Sequence, residues 1–172
     1  MKKIVIIWEE KKQNLFASLI KQVKKIAKEL DMETIFFPLK GKGNHSTYES
    51  LKKLDADYLL SFDMAGFEMD TLQEVCAYNI LYAKQIHILF QNEQKYREYL
   101  LQDMALNLFF FLSDEELLQK CKQEYPHILN LEAMPFLATG KKLTFEQQEK
   151  NRKALKMVIE KVYYEVETAG VR

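Results

Sequence analysis

The sequence predicts a three-layer α/β domain: a mostly parallel sheet of five or six strands, helices on both faces, and a long C-terminal helix. Three observations predict it. Short apolar runs recur along the 172 residues, stretches with helical spacing separate them, and the joining segments are a few residues long. Repetition of strand, helix and strand with short links means βαβ units, and these give parallel pairing.

The elements follow in chain order. Residues 3–8 form a continuous apolar run, as expected of a parallel strand buried on both sides. Over residues 14–30, Phe16, Leu19, Ile20, Val23, Ile26, Ala27 and Leu30 recur at helical spacing, with lysines on the other face. Residues 34–37 read as the second strand, stopped by Pro38, and Ser46 to Glu49 has capping-box spacing for the next helix. The third strand is expected at 58–62, a helix at 71–83, the fourth strand at 85–90, a helix at 93–101 and the fifth strand at 106–112. Ser113 to Glu116 has the same capping spacing and opens a helix to residue 125, and 127–131 reads as a sixth strand. After Pro135 and Gly140, Thr144 to Gln147 opens a helix running to about residue 165. Its narrow stripe of Leu155, Val158, Ile159, Val162 and Val166 either lies back across the sheet or pairs with a second copy. The expected division is a Rossmann-like α/β domain over 1–136 and a helical extension over 137–172. The sixth strand favours the order 3-2-1-4-5-6 over 2-1-3-4-5.

Bulk composition narrows the function. Lys plus Arg equals Asp plus Glu at 25 each, which speaks against a general nucleic-acid binder. The apolar runs fall well short of the roughly 20 residues a membrane span needs, and the opening run stops at Glu9 and Glu10, so neither a span nor a secretory leader is expected. Cys76 and Cys121 both fall in predicted helices, which fits buried thiols and a cytoplasmic protein.

Ligands of open α/β sheets bind at the carboxyl ends of the strands, where strand order reverses. That edge carries Glu9 and Glu10, then Lys40, Gly41, Lys42, Gly43, Asn44 and His45, then Asp63, Gly66 and Glu68, then Gln91 and Asn92. In the favoured order the reversal lies between strands one and four, so Glu9, Glu10, Gln91 and Asn92 flank the crevice and Asp63 lies further out. The 40–45 loop has the glycines, lysines and following helix of an anion site, with an ordinary solvated loop as the alternative. Asp63 and Glu68 are the candidate acid/base pair, with an acidic loop capping the next helix as the alternative. No Gly-x-Gly-x-x-Gly turn follows the first strand, so no nicotinamide or flavin cofactor is expected, and no cofactor is identified. The scattered His45, His87 and His127 and the lack of Cys-x-x-Cys give no metal-ligand pattern. His87 reads as a core residue within a strand.

Two resemblances bear on function. Residues 57–136, with Asp-x-Leu-Leu-Ser-Phe-Asp, Gln-Ile-His-Ile-Leu-Phe and Phe-Phe-Phe-Leu-Ser-Asp, resemble the N-terminal Rossmann-like half of two-domain GT-B glycosyltransferases, the spore-maturation CgeB-like group. That half shapes the acceptor side, so the resemblance implies a binding module or a partner of another chain rather than a complete enzyme. The stretch from Asp57 to Phe67 is also similar to the phosphorylated segment of response-regulator receivers. That resemblance implies Asp63 as phospho-acceptor with Glu9 and Glu10 holding magnesium, although Gln91 replaces the receivers' hydroxyl residue and Leu112-Ser113-Asp114 their Lys-Pro. The expectation is a domain that binds a small polar ligand or a partner protein along the strand-end edge.

Overall fold

The computed structural model of the protein describes residues 1–90 and 96–165. Its strands are β1 (Lys2–Glu9), β2 (Met32–Leu39), β3 (Tyr58–Phe62), β4 (Lys84–Leu89), β5 (Leu108–Leu112) and β6 (Leu131–Ala133). Its helices are α1 (Gln13–Glu29), α2 (His45–Lys53), α3 (Arg97–Leu100), α4 (Glu115–Glu124) and α5 (Phe145–Tyr163), with 3-10 turns at Glu10–Lys12 and Ala77–Ile80. The α/β class is as expected, and every ladder in the sheet is parallel.

The strand order is β2-β1-β3-β4-β5-β6, which corrects the favoured 3-2-1-4-5-6. The sixth strand adds outside β5 and says nothing about where β3 sits. Burial decides that. All five residues of β3, Tyr-Leu-Leu-Ser-Phe, are buried, so β3 needs a neighbour on each side and helices on each face. β2 carries Glu33, Thr34 and Pro38 and is half exposed, and a proline without a donor suits an edge strand. Pro38 therefore does not stop β2, which runs on to Leu39 in register with Glu9.

Alternation along the strands divides the interior in two. Ile4, Ile6, Trp8, Tyr58, Leu60, Phe62, Ile86, Ile88, Phe109 and Phe111 face α1 and α5. Val5, Ile7, Leu59, Leu89, Leu108, Phe110 and Leu112 face the layer formed by α2, α3, α4 and the Ala77–Ile80 turn. The stripe on α5 is used within the chain: Leu155, Val158, Ile159 and Val162 are buried in the first of these cores. Val166 lies outside the described residues. Asn151 fastens the connecting segment to α5, accepting from the Ala138 amide at 2.8 Å and donating to the Ala138 carbonyl at 2.9 Å.

Other expectations are corrected locally. The helix expected at 71–83 is an irregular crossover that contains only the short 3-10 turn. Asp70 accepts from the Leu72 amide, Thr71 bonds the carbonyls of Gln73 and Val75, and Leu72 is left-handed at φ 61°. Such side-chain bonds offer the backbone an alternative to helix. Cys76 therefore lies outside a helix, but it is buried, as is Cys121 in α4. α3 is shorter than the helix expected at 93–101, of which residues 93–95 lie outside the described ones. The box expected at Ser46 forms instead between Asn44 and Thr47, and Asp114 rather than Ser113 caps α4. Thr144 and Gln147 form their box as spaced. β6 begins at Leu131, later than expected.

The register places Ser61 beside His87 on adjacent strands in the interior. Both are fully buried. The Ser61 hydroxyl lies 2.6 Å from His87 Nδ1, and His87 Nε2 lies 2.9 Å from Gln85 Oε1. The Gln85 amide nitrogen donates to the carbonyls of Tyr78 and Leu81, which turns its oxygen toward the imidazole. Only the neutral ring with its proton on Nε2 satisfies the whole chain, with Ser61 donating to Nδ1. The rings of Phe67, Tyr78 and Phe110 pack around it. Burial pushes the His87 pKa down to about 3. The unfolded chain takes up a proton near the ordinary value of about 6.5, while the folded chain refuses it. Stability is therefore lost as pH falls from about 6.5 toward about 3, by up to about 1.4 kcal/mol per pH unit. Urea unfolding of the wild type and His87→Asn between pH 5 and about 7 tests this: the wild type is expected to show the extra acid slope and the variant to lack it.

Candidate crevice at the strand ends

With β1 and β3 adjacent and their connections leaving in opposite directions, strand order reverses between them, and a crevice opens past their carboxyl ends. Glu9 is the last residue of β1, and Asp63 directly follows β3. The chain turns at once after Glu9 through the Glu10–Lys12 turn into α1, and the Trp8 indole fixes that turn by donating to Gln13 Oε1 at 2.7 Å. This turn swings Lys12 back over the crevice. Its Nζ donates to Asp63 Oδ2 at 2.7 Å and lies 4.0 Å from Glu9 Oε2, so one ammonium spans carboxylates from two strands. Lys11 approaches Glu9 Oε2 at 3.4 Å from the solvent side.

Lys12 experiences opposed effects. Burial pulls its pKa down, yet the hydrogen bond and charge of Asp63, with Glu9 behind them, outweigh this and hold it above its ordinary value. Tyr96 is buried beside the same groups. Burial first, then the negative charges of Glu9 and Glu68, push its hydroxyl up to about 12, with Asp63 adding and Lys12 opposing. Glu9, Lys12, Asp63, Glu68 and Tyr96 thus share one electrostatic neighbourhood.

The backbone that presents Asp63 is strained. Asp63 and Met64 are both left-handed, at φ 55° and 63°. Asparagine-like residues tolerate this region, whereas a methionine there is uncommon. Each such residue costs on the order of 1–3 kcal/mol and persists only where its surroundings overdetermine it. Here Met64, Ala65, Phe67 and Met69 are all buried in the core. The Tyr78 hydroxyl donates to the Ala65 carbonyl at 2.6 Å. The Asp63 amide donates to the Ile88 carbonyl at 2.8 Å, which ties the start of the loop to β4.

The sequence-predicted residues divide accordingly. Glu9 and Asp63 come together, and Glu68 joins them around Tyr96; Asp63 is at the centre of the crevice and not on its flank, as the other strand order required. Glu10 is exposed on its turn. Gln91 and Asn92 lie outside the described residues. Lys40, Gly41, Lys42 and Asn44 are exposed, and Asn44 spends its side chain on the α2 amide of Thr47 at 2.9 Å. Gly43 links this loop to the crevice loop by accepting from the Asp70 amide at 3.3 Å, and Gly66 serves the backbone of that loop. Lys12 and Tyr96 were not anticipated. Lys12 had a signal, being one of two lysines directly after Glu9 and Glu10; Tyr96 had none.

Two other features bear on chemistry. Among the described residues, no group of three or more His, Cys, Asp or Glu side chains is arranged to hold a metal. A groove of about 490 Å³ lies at the opposite end of the strands, lined by Lys2, Asp55, Asp57, Tyr58, Tyr82 and Lys84. Its lysines serve the end of α5: Lys84 donates to the Glu165 carbonyl, and the Lys2 ammonium lies over the rings of Tyr58 and Tyr163. We therefore assign that groove to structure.

No family model matches the chain, and no curated protein matches it. Among solved structures it is similar to a fragment from Peptoclostridium difficile 630 described as a "putative lipoprotein", at 12% identity and a TM-score of 0.44. The match covers 74% of this chain and 93% of that one. No helix among the described residues is long and apolar enough to cross a membrane.

Gly66 tests how far the crevice loop is held in place. It sits at φ 91°, and a Cβ there would stand 2.3 Å from the Tyr78 hydroxyl oxygen. Gly66→Ala is expected to lower stability by about 2–4 kcal/mol, from backbone strain and displacement of Tyr78 together. Chemical denaturation measures the loss, and a change below about 0.5 kcal/mol would show that the loop moves freely.

Proposed function

We propose that this domain binds a small polar ligand in the crevice between the ends of β1 and β3, in the manner of the acceptor-side half of a GT-B glycosyltransferase rather than as a complete enzyme. One observation carries the reading: Lys12 brackets Glu9 and Asp63 at the point where strand order reverses. A charged cluster presented on a strained loop is an arrangement that fold stability alone does not call for. Charge-paired side chains can offer both donors and acceptors to a ligand without large rearrangement. Within this reading the protein works in the cytoplasm, which the two buried thiols, with no disulfide between them, support.

Thermal-shift titration with nucleotides, nucleotide sugars and unphosphorylated polar metabolites tests the reading. A ligand at about 100 times its Kd adds about 2.7 kcal/mol, which for a domain of this size is a rise of roughly 5–10 °C. The rise is expected to shrink in Asp63→Asn. A complete set of flat titrations would count against ligand binding.

The observed order also favours a second reading. It sets Asp63 beside Glu9, the adjacency a receiver-like phospho-acceptor requires. Lys12 stands against it, because its ammonium is already on Asp63 Oδ2. Incubation with acetyl phosphate and magnesium, followed by intact-mass measurement, decides. Phosphorylation that disappears in Asp63→Asn would establish the receiver reading, and an unchanged mass would remove it.

A further inference from the structure

The layer formed by α1 and α5 carries a charge pattern that the crevice does not use. The two helices cover one face of the sheet and are joined by Lys156, which lies 3.1 Å from Glu29. Together they hold nine Lys or Arg residues against four acids. All four acids are answered within the layer: Glu29 and Glu160 by Lys156, Glu146 by Lys150 and Glu149 by Arg152. Lys161 is committed to Glu132 of β6. Lys21, Lys24, Lys25, Lys28 and Lys153 remain, all exposed and with no acid at ion-pair distance among the described residues. Asp31 and Glu33, which follow α1 in the chain, pair with none of them.

The same layer leaves apolar side chains in solvent. Phe145 is 79% exposed and Met157 51%, both on α5, and Leu15 of α1 is exposed as well. Phe36 on the neighbouring edge strand is also exposed, with the Lys24 ammonium 5.6 Å from its ring centre. Apolar groups scattered singly are ordinary on a surface, but these share one layer with the unpaired lysines. The excess is local, because the chain as a whole is neutral. Residues 63–83, in the opposite layer, hold Asp63, Glu68, Asp70 and Glu74 and no Lys or Arg. A negative surface turns a molecule polarised in this way so that one face meets it. Lipid headgroups use both features, since ammonium groups reach the phosphates while lysine stems and apolar side chains enter the boundary below. A nucleic acid would use the lysines and leave Leu15 and Met157 without a role.

Independently of the crevice, we propose that the α1/α5 face docks the protein on an anionic lipid surface. The unpaired lysines meet the headgroups, and Phe145, Met157 and Leu15 enter the boundary with the acyl chains.

Co-sedimentation of the full chain with vesicles tests this. Vesicles of phosphatidylcholine with phosphatidylserine are expected to carry the protein down, and vesicles of phosphatidylcholine alone to leave it in solution. Raising the salt to about 0.5 M should release most of it, because screening shortens the reach of the lysines. Lys21→Gln combined with Lys25→Gln is expected to weaken binding about 25-fold, from roughly fivefold for each lysine at such a surface. Phe145→Ser is expected to cost about tenfold through lost apolar burial. All three positions are exposed, so unchanged melting curves are expected to show the fold intact. Lys52→Gln with Lys53→Gln, exposed on α2 in the opposite layer, should leave binding as it is. No sedimentation with the phosphatidylserine vesicles, equal sedimentation with phosphatidylcholine alone, equal losses in the α1 and α2 variants, or unaltered binding in Phe145→Ser would each overturn the inference. A labelled DNA duplex or RNA strand bound through Lys21 and Lys25, with vesicles ignored, would overturn it in favour of a nucleic-acid face.

Discussion

The burial of β3 is the constraint on which the rest of the structure depends. A five-residue strand with every side chain inside has to lie between two strands and between two layers of helix. That requirement sends β2 and its proline to the edge, brings β1 and β3 into contact, and moves the reversal of strand order to the gap between them. The meeting of Glu9 and Asp63 follows directly, because each lies at the end of its strand. No attraction between the two acids is needed, and their mutual repulsion is answered by Lys12, delivered by the first turn after β1.

Most of the fold was legible in the sequence for the same reason that it is stable. The apolar runs of β1, β3, β4 and β5 and the helical stripe of α1 are direct images of burial, and they lie where spacing put them. What escaped was order and irregularity. The count of six strands favoured the wrong sheet, although the contrast between Tyr-Leu-Leu-Ser-Phe and Met-Glu-Thr-Ile-Phe-Phe-Pro-Leu already separated a central strand from an edge. The crossover from β3 to β4 was read as a helix over residues 71–83, but it is irregular. Periodicity does not register the turns that Asp70 and Thr71 impose.

The candidate site was half legible. Glu9, Asp63 and Glu68 could be named because strand ends can be named. Lys12 could have been found by asking which side chain neutralises a strand-end acid, since a lysine three residues after Glu9 sits one turn away. Tyr96 arrives through tertiary packing alone, from the far side of β4, and no local pattern announces it. The loop 40–45, the most site-like stretch by composition, uses its best group on a helix cap. Composition identifies polar residues that are available, whereas the fold determines which of them are already occupied.

The polar chain inside the sheet has one more consequence. Ser61, His87, Gln85 and Tyr78 are linked in sequence, and the last of them grips Ala65, two residues beyond Asp63. The interior and the crevice wall are therefore joined in series, with the strained turn at one end and a single imidazole tautomer in the middle. Evolution at this crevice is then not confined to its lining. Gln85 holds the backbone of Tyr78, and the Tyr78 hydroxyl holds the turn that carries Asp63, so the core and the crevice wall share residues. Selection on either will leave its record in both.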